Sequence, residues 1–153
     1  MAHHPSDAYL ETQVHTASPI RLRLLLIEGA IRFYTQAKEQ SAAGDLNAAA
    51  ESGGRGHAIL AEILSGMWSA EGDLAKQQKR IYGFLMRLAT TMQLRRDFSQ
   101  ADDVLKVLYE ERETWRELVQ RHGALSNDRP PAFTPAPTLP LESTPTPAFS
   151  FEA

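Results

Sequence analysis

The sequence contains no cysteine in 153 residues, which excludes disulfides, thiolate metal sites and cysteine nucleophiles together. It has no surplus of basic charge: 16 Lys and Arg against 19 Asp and Glu leave a formal charge of −3. No cationic face is available to track phosphates, so nucleic acid is not an expected partner. No apolar run approaches the roughly 20 residues of a membrane span, and the polar opening, residues 1–7, lacks the apolar stretch of a secretory signal. The expectation is a cytosolic protein of one domain, without membrane insertion and long enough to bury a core.

Proline is absent between Pro19 and Pro130, yet seven of the nine prolines fall between Pro130 and Pro147. That contrast divides the chain. Each proline removes a backbone donor and fixes φ, so residues 126–153 read as a disordered, Pro- and Thr-rich tail. Phe133, Leu139, Leu141, Phe149 and Phe151 are unusual in a plain spacer. Residues 1–18 read as a segment packing on the folded part, and residues 19–125 as that folded part.

Within residues 19–125 the pattern is helical throughout. Ser18 offers a side-chain acceptor to the first turn and Pro19 suits the first helical position, opening a helix to residue 43 that Gly44 ends. Asp45 caps a second helix, 46–69. A Gly72-Asp73 break leads to a third, ending near residue 96. Ser99 with Asp102 is a weakened capping box for a fourth that stops at Gly123. Connections of a few residues make successive helices antiparallel. The fold class expected is all-α, an antiparallel up-down four-helix bundle.

The first helix carries two apolar stripes: Leu22, Leu25, Leu26, Gly29 and Phe33 form one, and Leu24, Ile27, Ile31 and Tyr34 the other. A bundle helix with only a core to fill needs about three apolar positions in seven, so the excess points to an oligomer or to a groove for a partner helix. Helix three adds Leu74, Ile81, Tyr82, Leu85, Leu88, Ala89 and Met92, with Phe84 off the main stripe. Helix two begins with Gly53, Gly54 and Gly56, each costing about 1 kcal/mol relative to alanine. That half is either weakly stable or approached closely by another helix. Trp115 falls on the core stripe of helix four; Trp68 stands between core and interface roles. The run from Glu110 to Glu113 reads as a solvated face laced with i, i+4 pairs.

Catalytic constellations are missing. Bundle metal sites use Glu-x-x-His on facing helices, and none occurs. Gly53-Gly54-Arg55-Gly56 lacks the Lys-Ser/Thr of a phosphate loop, and no serine has a histidine and carboxylate in suggestive context. No enzyme activity and no cofactor are expected. His57, the one histidine inside the bundle helices, reads as a surface or groove-lining residue. A phosphotransfer bundle would use an exposed histidine there, but Ala58-Ile59-Leu60-Ala61 lacks the lysine usual after it. A bundle that simply self-associates through its apolar excess is a third alternative.

Tyr9, then Val14-His15-Thr16-Ala17-Ser18-Pro19, then Leu22 and Leu25-Leu26-Ile27-Glu28-Gly29-Ala30 resemble the flagellar export chaperones of the FliS family. The likeness continues through Arg55–Ile63, Ile81–Arg87, Arg96-Asp97, and Val104, Leu108 and Trp115. It departs at Ile27, Gly56-His57, Gly83 and Gln93, where the family usually has Tyr, Ala-Gln, Asp and Asn. The resemblance implies a cytosolic helical bundle that binds the C-terminal region of flagellin, prevents its premature polymerisation and assists delivery to a flagellar export gate component. A homodimer is compatible with it. Tyr9 matches a family tyrosine implicated in client and gate contacts. The partner-binding set expected is Tyr9, Val14, Leu24, Ile27, Ile31, Tyr34, His57 and Phe84.

Overall fold

The computed structural model describes residues 18–127, with side chains described as far as Gly123. Tyr9, Val14 and the predicted tail from residue 128 onward lie outside the described residues. Four helices follow one another: α1 Pro19–Ala42, α2 Leu46–Gly66, α3 Asp73–Arg95 and α4 Ala101–Asn127. No strand occurs among the described residues, and the four-helix bundle stands.

The helix starts follow local chemistry. Ser18 Oγ accepts from the Arg21 amide at 3.3 Å with Pro19 beside it, and Asp45 accepts from the Ala48 amide at 3.1 Å, each satisfying a donor the first turn leaves free. Gly44 and Gly72 take positive φ, 82° and 103°, where a side chain would clash. Five boundaries differ from expectation, the first by one residue, α1 ending at Ala42 with Ala43 as its cap. α2 ends at Gly66, three residues early, as Met67 turns inward against the core. α3 ends at Arg95, with Arg96 left-handed at φ 51°. The Ser99–Asp102 capping box does not form: α4 starts at Ala101, while the Ser99 amide donates to Asp97. Gly123 does not stop α4, which continues to Asn127 because a lone glycine costs a helix only about 1 kcal/mol and no proline follows before Pro130.

Pairwise contacts set helix directions. Arg23 touches Met67, Tyr34 lies over Gly56, and Gln40 meets Ser52. The α1 number rises as the α2 number falls, so these helices run in opposite senses. Lys38–Asp102 and Glu28–Arg116 give the same relation for α1 and α4, as do His57–Thr90 and Ala50–Gln93 for α2 and α3. The core is built from Ile27, Ile31 and Tyr34 of α1, Leu60 and Ile63 of α2, Tyr82, Leu85 and Met92 of α3, and Val104 and Leu108 of α4, closed at one end by Phe98.

The glycines of α2 mark close approach. A Cβ on Gly56 would lie 2.7 Å from the Tyr34 ring, and one on Gly53 would lie 2.4 Å from Phe98. Both are below any normal contact, so backbone proximity is what these positions provide. Of the two readings of this half-helix, close approach is the one the geometry supports.

Candidate functional site

The third helix is held differently on its two flanks. Toward α2, His57 Nε2 lies 3.0 Å from Thr90 Oγ1 and Gln93 Nε2 donates to the Ala50 carbonyl at 2.7 Å. Toward α4 the interface is the thinnest between neighbouring helices of the bundle. Ile81, Phe84 and Leu88 follow at i, i+3, i+7 spacing on the flank away from Thr90, forming one ridge. Ile81 and Leu88 are half-buried against the core, while Phe84 remains 45% exposed. Val107 of α4 is likewise half-buried, and Leu85, Val104 and Leu108 are buried beneath. The α3–α4 seam is therefore a shallow apolar groove, with an aromatic ring left on its edge.

One end of that groove has a polar floor. Glu111 is only 6% exposed; its carboxylate accepts from Gln78 Nε2 and from Trp115 Nε1, each at 3.2 Å. The Arg23 guanidinium of α1 lies 4.8 Å from the Trp115 ring centroid and 5.6 Å from that of Tyr82. The same group donates to Sδ of Met67, the cap residue just past α2, at 3.4 Å, so residues from three helices and the end of the fourth meet here. Burial, reinforced by the Glu111 carboxylate, pushes the Tyr82 phenol above its ordinary value, with Arg23 opposing. Gln78 Oε1 and Tyr82 Oη are buried without a hydrogen-bond partner. Glu111 thus corrects the expectation of a wholly solvated Glu110–Glu113 face. It lies three residues after Leu108 and four before Trp115, which places it on the inward stripe.

The predicted binding residues scatter. Ile27, Ile31 and Tyr34 are 0%, 8% and 1% exposed, so three of the four residues of the second α1 stripe lie in the core. The half-buried set on α1 includes Leu24 and the other stripe, Leu22, Leu25, Leu26 and Phe33. His57 is half-buried and engaged with Thr90, on the α2-facing flank of α3, opposite Phe84. Phe84 alone of the described set stands exposed, and its place off the main stripe was the legible signal. Ile81, Leu88 and Val107 were not singled out as groove residues, since periodicity does not separate a core from a half-covered flank. Trp68 is 80% exposed near the α2–α3 turn, and Leu74, read as part of the α3 stripe, is 68% exposed because it lies in the first turn, beyond the core residues that cover the rest of the stripe. Trp115 is half-buried against the core.

Between α1 and α4 an open cavity of about 390 Å3 is lined by Thr35, Lys38, Glu39, Asp102, Leu105, Lys106 and Tyr109. It is bridged by the 2.6 Å Lys38–Asp102 ion pair, which holds the Lys38 ammonium above its ordinary value through the hydrogen bond and charge of Asp102. No cluster of His, Cys, Asp or Glu able to hold a metal occurs among the described residues. No described helix is long and apolar enough to cross a membrane.

Comparison with known proteins agrees in kind. The family model described as "Flagellar protein FliS" matches residues 1–122. A curated relative from Vibrio cholerae serotype O1 (strain ATCC 39315 / El Tor Inaba N16961), named "Flagellar secretion chaperone FliS", is 26% identical over 118 residues, 76% of this chain and 87% of the relative.

Proposed function

We propose, on the premise that this chain belongs to the FliS family of flagellar proteins, that it binds the C-terminal region of flagellin in the cytosol, keeps it from polymerising early and assists its delivery to the flagellar export gate. The family is one of flagellar export chaperones rather than enzymes. The observation that carries the finer reading is the α3–α4 groove, where Phe84 is 45% exposed on a ridge with half-buried Ile81 and Leu88. An amphipathic segment that orders as a helix on such a groove buries apolar area worth about 25 cal/mol per Å2, set against the entropy of its own ordering. Anchors at i, i+3, i+7 on α3 suit one helix laid along another. Residues 1–18, with Tyr9 and Val14, are assigned to contacts with client and gate.

Calorimetric titration with the C-terminal segment of flagellin tests this. Saturable one-to-one binding with a clearly negative heat-capacity change is expected, weakened at least tenfold by Phe84→Asp. Absence of binding by the folded, full chain overturns the reading for that client. Binding that ignores Phe84→Asp overturns the choice of groove.

A further inference from the structure

The two large apolar side chains nearest the α2–α3 turn, Trp68 and Leu74, are the most exposed of their end of the bundle, at 80% and 68%. They stand on braced backbone: the Trp68 amide donates to the Ser65 carbonyl, the Ala70 amide to the Met67 carbonyl, and Lys79 Nζ to the Ala70 carbonyl at 2.8 Å. An indole held out on an ordered turn is a preformed contact. The topology then decides what is near it. Arg23 contacts both Met67 and Trp115, and Gln78 of α3 is bonded to Glu111 of α4. The end of the bundle carrying Trp68 and Leu74 is thus the end toward which α4 runs past Trp115 to Asn127.

The 26 residues from 128 to 153 are delivered at that end. They hold seven prolines between Pro130 and Pro147, including Pro137-Thr138-Leu139-Pro140. Such sequence favours the polyproline II form, and aromatic faces are its usual docking surface. At about 3.1 Å per residue a run to Leu141 reaches several tens of ångströms, more than enough to lie across the end. Charge agrees. Asp128, Glu142 and Glu152 outweigh Arg129 in this segment, whereas Arg21, Arg23, Lys76, Lys79 and Arg80 outnumber Glu71 and Asp73 around the turn. We infer that the Pro-rich segment of residues 128–153 folds back and docks in cis on the Trp68–Leu74 surface, covering the end of the bundle opposite the Leu46 and Leu94 end. Leu74 stands seven residues before Ile81, on the same face of α3 but about two turns nearer the end of the bundle, and the docking is tested with no client present.

The absence of cysteine makes the test direct. A spin label on Ser143→Cys in the full chain is read by nuclear magnetic resonance at the Trp68 indole and the Leu74 amide, with Leu46 and Leu94 as the distant reference. Docking predicts selective broadening at Trp68 and Leu74, and at least a twofold drop of the Leu74 effect in Trp68→Ala, a variant whose exposed position leaves the fold intact. Equal broadening at both ends overturns it, because it shows no preferred position, and so does a Leu74 effect unchanged by Trp68→Ala, because tethering at this end alone would explain it. Broadening carried between labelled and unlabelled molecules assigns the surface to a second copy and overturns docking in cis. A Trp68 emission that shifts on removal of residues 1–17 but not on truncation after Asn127 assigns the surface to the N-terminal segment, with the same consequence.

Discussion

The α1–α2 seam and the α3–α4 seam are closed by opposite means. In the first, Gly56 lets the Tyr34 ring come so near the α2 backbone that a Cβ would lie 2.7 Å from it. In the second, contact is thin, and a buried Gln78–Glu111–Trp115 chain of hydrogen bonds joins the helices where side chains leave off. Close-packed interiors resist change because every displaced atom meets another. A seam closed by a few polar contacts, with Phe84 on its edge, retains apolar surface for a partner. On the proposed reading, binding capacity is located where packing is least complete, and close packing where glycine has removed the side chain altogether.

The difference is broken most severely at Gly56. Valine there must displace the Tyr34 ring, which is 1% exposed with core on every side, so overpacking should cost about 2–3 kcal/mol. The gain in helix propensity over glycine, under 1 kcal/mol, does not offset it. Urea unfolding should show the midpoint falling at unchanged slope. A midpoint at or above that of the parent would mean that the α1–α2 seam has slack. Gly54→Ala is the control: its nearest neighbour would be Gln93 Nε2 at an ordinary 3.5 Å, and it should be neutral or mildly stabilising.

The other seam fails more gently. Glu111→Ala strands the Gln78 amide and the Trp115 indole donors beneath the groove, at about 1–2 kcal/mol for the lost acceptors. Glu111→Gln keeps one acceptor oxygen and should lose less. Hydrogen exchange should localise the Glu111→Ala effect, with amides of α3 from Gln78 to Leu88 losing protection ahead of those of α1 and α2. Uniform loss across all four helices would show that the polar chain supports the whole bundle rather than one seam.

These contrasts also show what was legible beforehand. The Ser18-Pro19 start, the Asp45 cap and the glycine turns at Gly44 and Gly72 follow from rules local to a few residues, and each stands where expected. The two stripes of α1 were visible as stripes, but which faced inward was not: Tyr34 is core because Gly56 faces it, a pairing of residues 22 apart in sequence. Glu111 was read as solvated because charge outweighed position, although its spacing from Leu108 and Trp115 marked the inward face. The capping box at Ser99 lost to an alternative on the same residues, the Asp97 carboxylate taking the Ser99 amide. The groove needed two helices to be seen, and only Phe84 announced it from one.

Phe84→Asp sharpens the comparison by separating stability from binding. The ring is 45% exposed, so aspartate forfeits about half of a phenylalanine's burial, about 1 kcal/mol, and the unfolding midpoint should fall only modestly. Client affinity should fall at least tenfold over the same change. A large drop in stability with no effect on affinity would place Phe84 in the fold's own packing and remove the groove from the α3–α4 seam.

The smallest effect belongs to the α1–α4 contact, where Lys38 and Asp102 make a 2.6 Å ion pair with both side chains at least half exposed. Exposed pairs contribute little, because water and salt screen them and two long side chains must be ordered. The sign is nonetheless fixed. Asp102 holds the Lys38 ammonium above its ordinary value in the folded chain. Its contribution is therefore fully present below the unfolded lysine value and disappears as pH rises through the folded one. Between pH 6 and 9 the pair should add no slope, and Asp102→Asn should lower the melting temperature only slightly, by an amount that shrinks as salt is added. A salt-independent loss would mean that Asp102 acts through something other than this charge, its place in the first turn of α4 among the backbone donors being the alternative to test next.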